Sequence, residues 1–194
     1  MPFKISYTDL VQKSAKEAID TVNRARKKQL GDLRIYDLMF DKSEPIFHGV
    51  YLFYSNENQC LYTGKNSSQS FVERIPWHFA LSEKAWMNHF LKYRREAKKL
   101  NTIPETAIEA QDCQLLLIPI PGECWLQSKQ LEKFFRLFLL PKYNVYSERY
   151  RNRYSHIDLQ APLNNVLSDL NPLPRCQPDI LFLFMAIYIQ PVSS

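Results

Sequence analysis

The sequence predicts an α+β domain with a small central sheet, mixed or antiparallel, flanked by helices. Three observations carry this reading. GVYLFYSNENQCLYTGK, residues 49 to 65, reads as two apolar strands about a polar turn. QLLLIPI, residues 114 to 120, is a nearly continuous apolar run, as expected of a strand buried on both faces. Several longer segments between these keep apolar side chains at helical spacing.

Residues 8 to 30 place Leu10, Val11, Ala15, Ala18, Ile19 and Val22 on one helical face, then turn basic and stop at Gly31. The cations there suit a helix C-terminus, whose dipole favours positive charge. In the hairpin, Tyr51 and Phe53 alternate with Val50, Leu52 and Tyr54, and Ser55 to Gln59 make the turn. Ser70 and Glu73 form an S-x-x-E capping box, so a helix starts at 71 and carries Arg74 and His78 one turn apart. Pro76 should kink that helix or restart it.

Residues 82 to 100 predict a further helix with Trp86, Phe90 and Tyr93 on one side. Lys84, Lys92, Arg94, Arg95, Lys98 and Lys99 against Glu96 make it the strongest basic patch of the chain. Such a patch is either a solvated face or one that meets phosphates. After Pro121 and Gly122 end the apolar strand, Leu131, Phe134, Phe135 and Phe138 form an i, i+3, i+4, i+7 stripe that Pro141 terminates. Glu132 sits beside that stripe.

KYNVYSERYRNRY, from 142 to 154, alternates tyrosines with Lys142, Arg149, Arg151 and Arg153, a pattern that suits phosphate and base contacts and also occurs in basic surface loops. Three prolines then lead into ILFLFMAIYI, residues 180 to 189. That run is half of the roughly 20 residues a membrane span needs, so it reads as an appendage and no membrane is expected as partner. The organisation expected is an N-terminal helical extension over 1–46, a core over 47–170 and a Pro-rich linker with apolar tail over 171–194.

At 194 residues and 45% apolar content the chain has enough material for one sizeable core. A formal charge of +5 leans toward a polyanionic partner. Cys60, Cys113, Cys124 and Cys176 lie too far apart for a C-x-x-C pair, which argues against structural zinc. The opening MPFKISYTDL has no apolar signal core, which points to reduced thiols and a cytoplasmic location.

Hydrolysing a phosphodiester needs an acceptor for the proton of water, a cation for the phosphate and a metal ion to offset developing charge. Tyr51, Tyr62, Arg74, His78, Glu132 and Asn144 contain a candidate for every role. Each also has an ordinary explanation, such as strand packing for the tyrosines or an i, i+4 ion pair for Glu132 and Arg136.

Their order along the chain is more telling. G-V-Y at 49–51, Y-T-G at 62–64, Arg74, Glu132 in LEKFFRLFLLPKYN and Asn144 together resemble the GIY-YIG nuclease superfamily over residues 47 to 146. His78, four after Arg74, looks like the arrangement in its type II restriction endonucleases. Val50 and Thr63 stand where the name motif has isoleucine, and both keep the β-branch. A G-K-N-S-S likeness to a nucleotide loop at Gly64 fails for want of the upstream glycine.

The resemblance implies a DNA endonuclease using Mg²⁺ or Mn²⁺ held by Glu132. Tyr51 would deprotonate water with His78 relaying, Arg74 would neutralise the phosphate, and Tyr62 would position it. Asn144 would orient Glu132 or the backbone. Lys65 adds a phosphate contact, and with Lys92, Arg94, Arg95, Lys98 and the cations after 142 forms the expected surface for double-stranded DNA. A palindromic site would suit a homodimer. The alternatives are a structure-specific repair nuclease and a non-catalytic DNA-binding protein on the same scaffold.

Overall fold

The computed structural model describes residues 3–66, 68–122 and 125–170. Chain order is α1 (Tyr7–Val11), α2 (Ala15–Arg24), β1 (Lys28–Gln29), α3 (Ile35–Met39), β2 (Phe40–Asp41), β3 (Glu44–Pro45), β4 (His48–Tyr54) and β5 (Cys60–Asn66). Then follow α4 (Phe71–Trp77), α5 (His89–Lys98), α6 (Ile103–Glu109), β6 (Gln114–Ile120), α7 (Trp125–Phe138), α8 (Glu148–Asn152) and α9 (Leu163–Asp169). The fold is α+β. The main sheet is antiparallel with strand order β1-β6-β4-β5, and β2 pairs with β3 in a separate ribbon.

The apolar run 114–120 lies inside the sheet, where Leu115, Leu116, Leu117 and Ile118 are fully buried. Period-2 alternation sends successive side chains into two cores. Val50, Leu52, Leu116 and Ile118 meet α2, α7 and α9 on one face. Tyr51, Phe53, Leu115 and Leu117 meet α3, α4, α5 and α6 on the other. The α7 stripe of Leu131, Phe134 and Phe135 is fully buried. Each such side chain contributes about 1.5–3 kcal/mol of burial.

Residues 3 to 46, expected as a helical extension, contribute to both cores: Leu10, Ala15 and Val22 to one, Phe3 and Leu38 to the other. The helix expected over 8–30 is two. The chain leaves α1 at Gln12 and restarts where Ser14 accepts from the Glu17 N–H and the Glu17 carboxylate accepts from Ser14. A serine competes with helical continuation and favours a cap. The helix expected over 82–100 begins only at His89, because Asn88 is fully buried and spends its side-chain N–H groups on Ala80 and Ser82 carbonyls. Trp86 therefore lies outside the helix, 73% exposed, rather than packing beside Phe90.

The hairpin forms with its turn at 55–59, closed by the Ser55 N–H donating to the Gln59 carbonyl at 2.9 Å. Its register pairs Tyr51 with Gly64 and Phe53 with Tyr62. β5 is the sheet edge, and its outer side is covered by the P-K-Y-N segment. Lys142 N–H donates to Cys60 O at 3.1 Å and Tyr143 N–H to Leu61 O at 2.8 Å, which blunts an edge that would otherwise offer free pairing groups. Among the described residues no helix is long and apolar enough to cross a membrane. The tail at 180–189 lies outside the described residues.

Phe134→Ala removes a fully buried ring between α7 and the sheet, so urea unfolding should show a loss of about 3–5 kcal/mol. Ile108→Ala, at a side chain 70% exposed on α6, should stay within about 0.5 kcal/mol of the parent protein.

Candidate active site

Four elements converge at the β5 edge. β4 supplies Tyr51 and β5 supplies Tyr62 and Lys65, while α4 supplies Arg74 and delivers His78 just past its end. α7, on the opposite face of the sheet, supplies Glu132. Its stripe faces the sheet, and Glu132 lies next to that stripe with its side chain 17% exposed. The Glu132 charge disfavours ionisation of both phenols, and Lys65, Arg136 and Arg74 favour the carboxylate form of Glu132.

Pro76 does not kink α4; it closes it. The helix runs to Trp77, and His78 N–H donates to the Ile75 carbonyl at 3.1 Å. The Ser70 N–H and hydroxyl both donate to the Glu73 carboxylate at 2.7 Å, as the capping pattern predicts. Arg74 and His78 consequently both reach Tyr51. His78 Nε2 lies 2.7 Å from the Tyr51 hydroxyl, and the Arg74 charge opposes the effect of burial on that hydroxyl.

Glycine makes the pair possible. A Cβ on Gly64 would lie 2.3 Å from Tyr51 Cζ and 2.4 Å from its hydroxyl oxygen, well inside contact distance. A Cβ on Gly49 would meet the Ile118 carbonyl oxygen at 2.2 Å, and its φ of +152° is a conformation side-chain-bearing residues rarely adopt. The glycine that opens G-V-Y thus serves backbone packing, and the one that closes Y-T-G makes room for the Tyr51 ring.

Tyr51 and His78 are both 0% exposed. β4 is an interior strand, so the Tyr51 side chain is covered and meets water only once its hydroxyl is uncovered. Burial pushes the Tyr51 hydroxyl up strongly, with the neighbouring Tyr62 adding to it. Burial, then the Arg74 charge, lowers His78 to about 3, which leaves the imidazole neutral. Tyr62 is half-buried and pushed up to about 12 by burial and by Glu132. Its ring lies 5.0 Å from the His78 ring and 6.5 Å from that of Tyr51.

Burial raises Glu132, offset by Lys65, Arg136 and Arg74. Its ion-pair contact among the described residues is Arg136 Nη1, at 3.9 Å. A desolvated carboxylate so loosely paired fits a hard cation. Among the described residues no cluster of three His, Cys, Asp or Glu could hold a metal alone.

Asn144 does not touch Glu132. Its Oδ1 accepts from the Thr63 N–H at 3.1 Å and its amide donates to the Thr63 carbonyl, so it clamps β5 between Tyr62 and Gly64. Arg136 completes this clamp, donating through Nε to the Asn144 carbonyl at 2.8 Å and stacking 4.0 Å over the Tyr146 ring. Sequence reading treated Arg136 only as an ion-pair partner; its i+4 spacing from Glu132 was the available signal. Met87, whose sulfur takes Arg74 Nη1 at 3.4 Å, had none.

The expected basic surface is only partly free. Arg94 is 5% exposed, with its guanidinium forked onto the Glu109 carboxylate, because its helical phase puts it beside Phe90 and Leu91 toward the core. It does not face a phosphate. Arg95 pairs with Glu83 at 2.8 Å, and Lys98 lies 3.8 Å from Glu109. Lys92 donates to the Ala85 carbonyl at 2.7 Å. Lys142, Arg149 and Arg153 are exposed and Arg151 is half-buried. The tyrosines between them, Tyr146, Tyr150 and Tyr154, pack on the α7 core and so are not free to stack on bases.

No protein-family model, curated protein or solved structure matches this chain.

His78 should therefore keep neutral-imidazole chemical shifts from pH 8 to pH 5 by NMR. The unfolded chain, with an ordinary histidine near 6.5, takes up that proton first. The stability that neutral His78 contributes is thus present above pH about 6.5, and it is lost as pH falls toward the folded value of about 3.

Proposed function

We propose that the protein is a divalent-metal-dependent endonuclease of the GIY-YIG type, hydrolysing phosphodiester bonds of double-stranded DNA. The observation that carries this reading is the grouping of Glu132, from one helical layer, with Tyr51 and Tyr62 of the sheet and with Arg74 and His78 of the other layer.

Arg74, Tyr62, Lys65 and Glu132 are half-buried and accessible to a substrate. Arg74 takes a non-bridging phosphate oxygen, and Tyr62 donates its hydroxyl to another. A Mg²⁺ or Mn²⁺ ion on Glu132 would supply positive charge against that building on the phosphate. As water forms the new bond to phosphorus and the bond to the leaving oxygen breaks, the proton of water passes to the Tyr51 oxygen. The Tyr51 proton moves to His78 Nε2. An anionic phosphate beside Arg74 offsets the guanidinium charge that now depresses His78, so substrate itself makes the imidazole a better acceptor. This handoff requires DNA to uncover the Tyr51 hydroxyl.

His78, one turn after Arg74 and bonded to Tyr51, supports the finer reading of a type II restriction endonuclease acting in the cytoplasm as a two-fold dimer, with one site per strand. The closure of Tyr51 and His78 favours a second reading, a DNA-binding protein that keeps the scaffold without turnover.

Plasmid DNA with Mg²⁺ should be cut by the parent protein, and Glu132→Gln and Arg74→Ala should each slow cutting by about a hundredfold or more. A discrete fragment pattern would support sequence specificity. Salt-sensitive binding with no cleavage under any divalent cation would favour the second reading.

A further inference from the structure

We infer that the outward face of α5 and the turn preceding it form a stacking platform for a nucleobase in an unpaired segment flanking the duplex that is cut. The inference deepens the nuclease reading and rests on it for the position of the phosphate.

Trp86 is 73% exposed and Tyr93 41% exposed, and His89 is exposed between them in sequence. Scattered exposed apolar side chains are ordinary, whereas a group of large rings on one surface calls for a partner. The rings are ordered. His89 and Tyr93 lie near-parallel with centroids 6.3 Å apart, and Tyr93 and Tyr143 follow at 6.2 Å, each pair at 28°. The Lys92 ammonium, donating to the Ala85 carbonyl, ties the Trp86 turn to the start of α5.

The ribbon of rings borders the site. Met87, adjacent to Trp86, takes Arg74 Nη1. Phe90, next to His89 on α5, has its ring centroid 6.3 Å from that of Tyr62. A duplex held at its phosphate by Arg74 and Tyr62 would thus have an unpaired flanking segment against this surface.

Charge selects the partner. Lys84 and Lys99 are exposed with no ion pair among the described residues, Glu83 is already paired with Arg95, and Glu96 is the one acid on α5. Rings with cations among them suit a nucleic acid better than an apolar peptide. The nucleobase must be unpaired, because in a duplex both of its π-faces are covered by neighbouring base pairs.

The test is binding in EDTA, by fluorescence anisotropy, of a labelled short single strand and of the same sequence as a duplex. Trp86→Ala and Tyr93→Ala should each weaken single-strand binding roughly tenfold and leave duplex binding nearly unchanged. Trp86→Phe, which keeps a ring, should recover most of the loss. Equal losses on both DNAs, or no loss on the single strand, would overturn the inference. Because turnover is not the readout, a protein that cuts DNA but shows no ring dependence refutes the platform alone. One with ring-dependent binding that never cuts refutes the nuclease reading and leaves the platform standing.

Discussion

Two helical layers separated by a sheet can share a polar site only where the sheet ends, and β5 is that end. α7 packs Leu131, Phe134 and Phe135 onto one face while α4 and α5 pack onto the other. A carboxylate from the first layer and a guanidinium from the second approach each other only around the last strand. Everything polar in the candidate site follows from this. Tyr62 stands on the edge strand itself, and Glu132 lies next to the α7 stripe. The 142–144 segment then covers the remaining backbone groups, with Asn144 holding Thr63 from both sides and Arg136 holding Asn144. The edge is thereby protected against pairing with another chain while its side chains stay accessible.

Behind the edge lies an electrostatic arrangement that is quiet without substrate. Tyr51 and His78 are fully buried beside the half-buried Arg74, and burial opposes the charged forms of both the phenol and the imidazole. Gly64 supplies the room for the Tyr51 ring, so the contact depends on an absent methyl group as much as on the groups present. A phosphate on Arg74 would offset the guanidinium charge that, after burial, lowers His78. Proton acceptance would then be coupled to substrate occupancy instead of to bulk pH.

Much of this was legible in the sequence. The continuous apolar run at 114–120, the hairpin around 55–59 and the α7 stripe each have a strong periodic or compositional signal, and each forms where expected. The residues of the two tripeptides, Arg74, His78 and Glu132 converge from widely separated positions that periodicity could not have joined. Only their order in the chain suggested it. What was not legible depended on tertiary context. Burial of Tyr51 follows from β4 being an interior strand, and Arg94 turns to Glu109 because α6, a helix signalled only by Thr102, Pro104 and Glu105, packs beside α5. Tyr146, Tyr150 and Tyr154 looked like a nucleic-acid surface because alternation with arginine does not reveal which ring faces a core.

The central claim is that one metal-bound phosphate sits among side chains drawn from both helical layers. Paramagnetic Mn²⁺ added to the protein with a non-cleavable phosphorothioate DNA tests it, read as line broadening across assigned NMR signals. The account predicts broadening centred on Glu132, Tyr62 and Arg74 together, appearing only when DNA is present. Broadening confined to exposed acids such as Glu83 or Glu148, with Glu132 and Tyr62 unaffected, would contradict it.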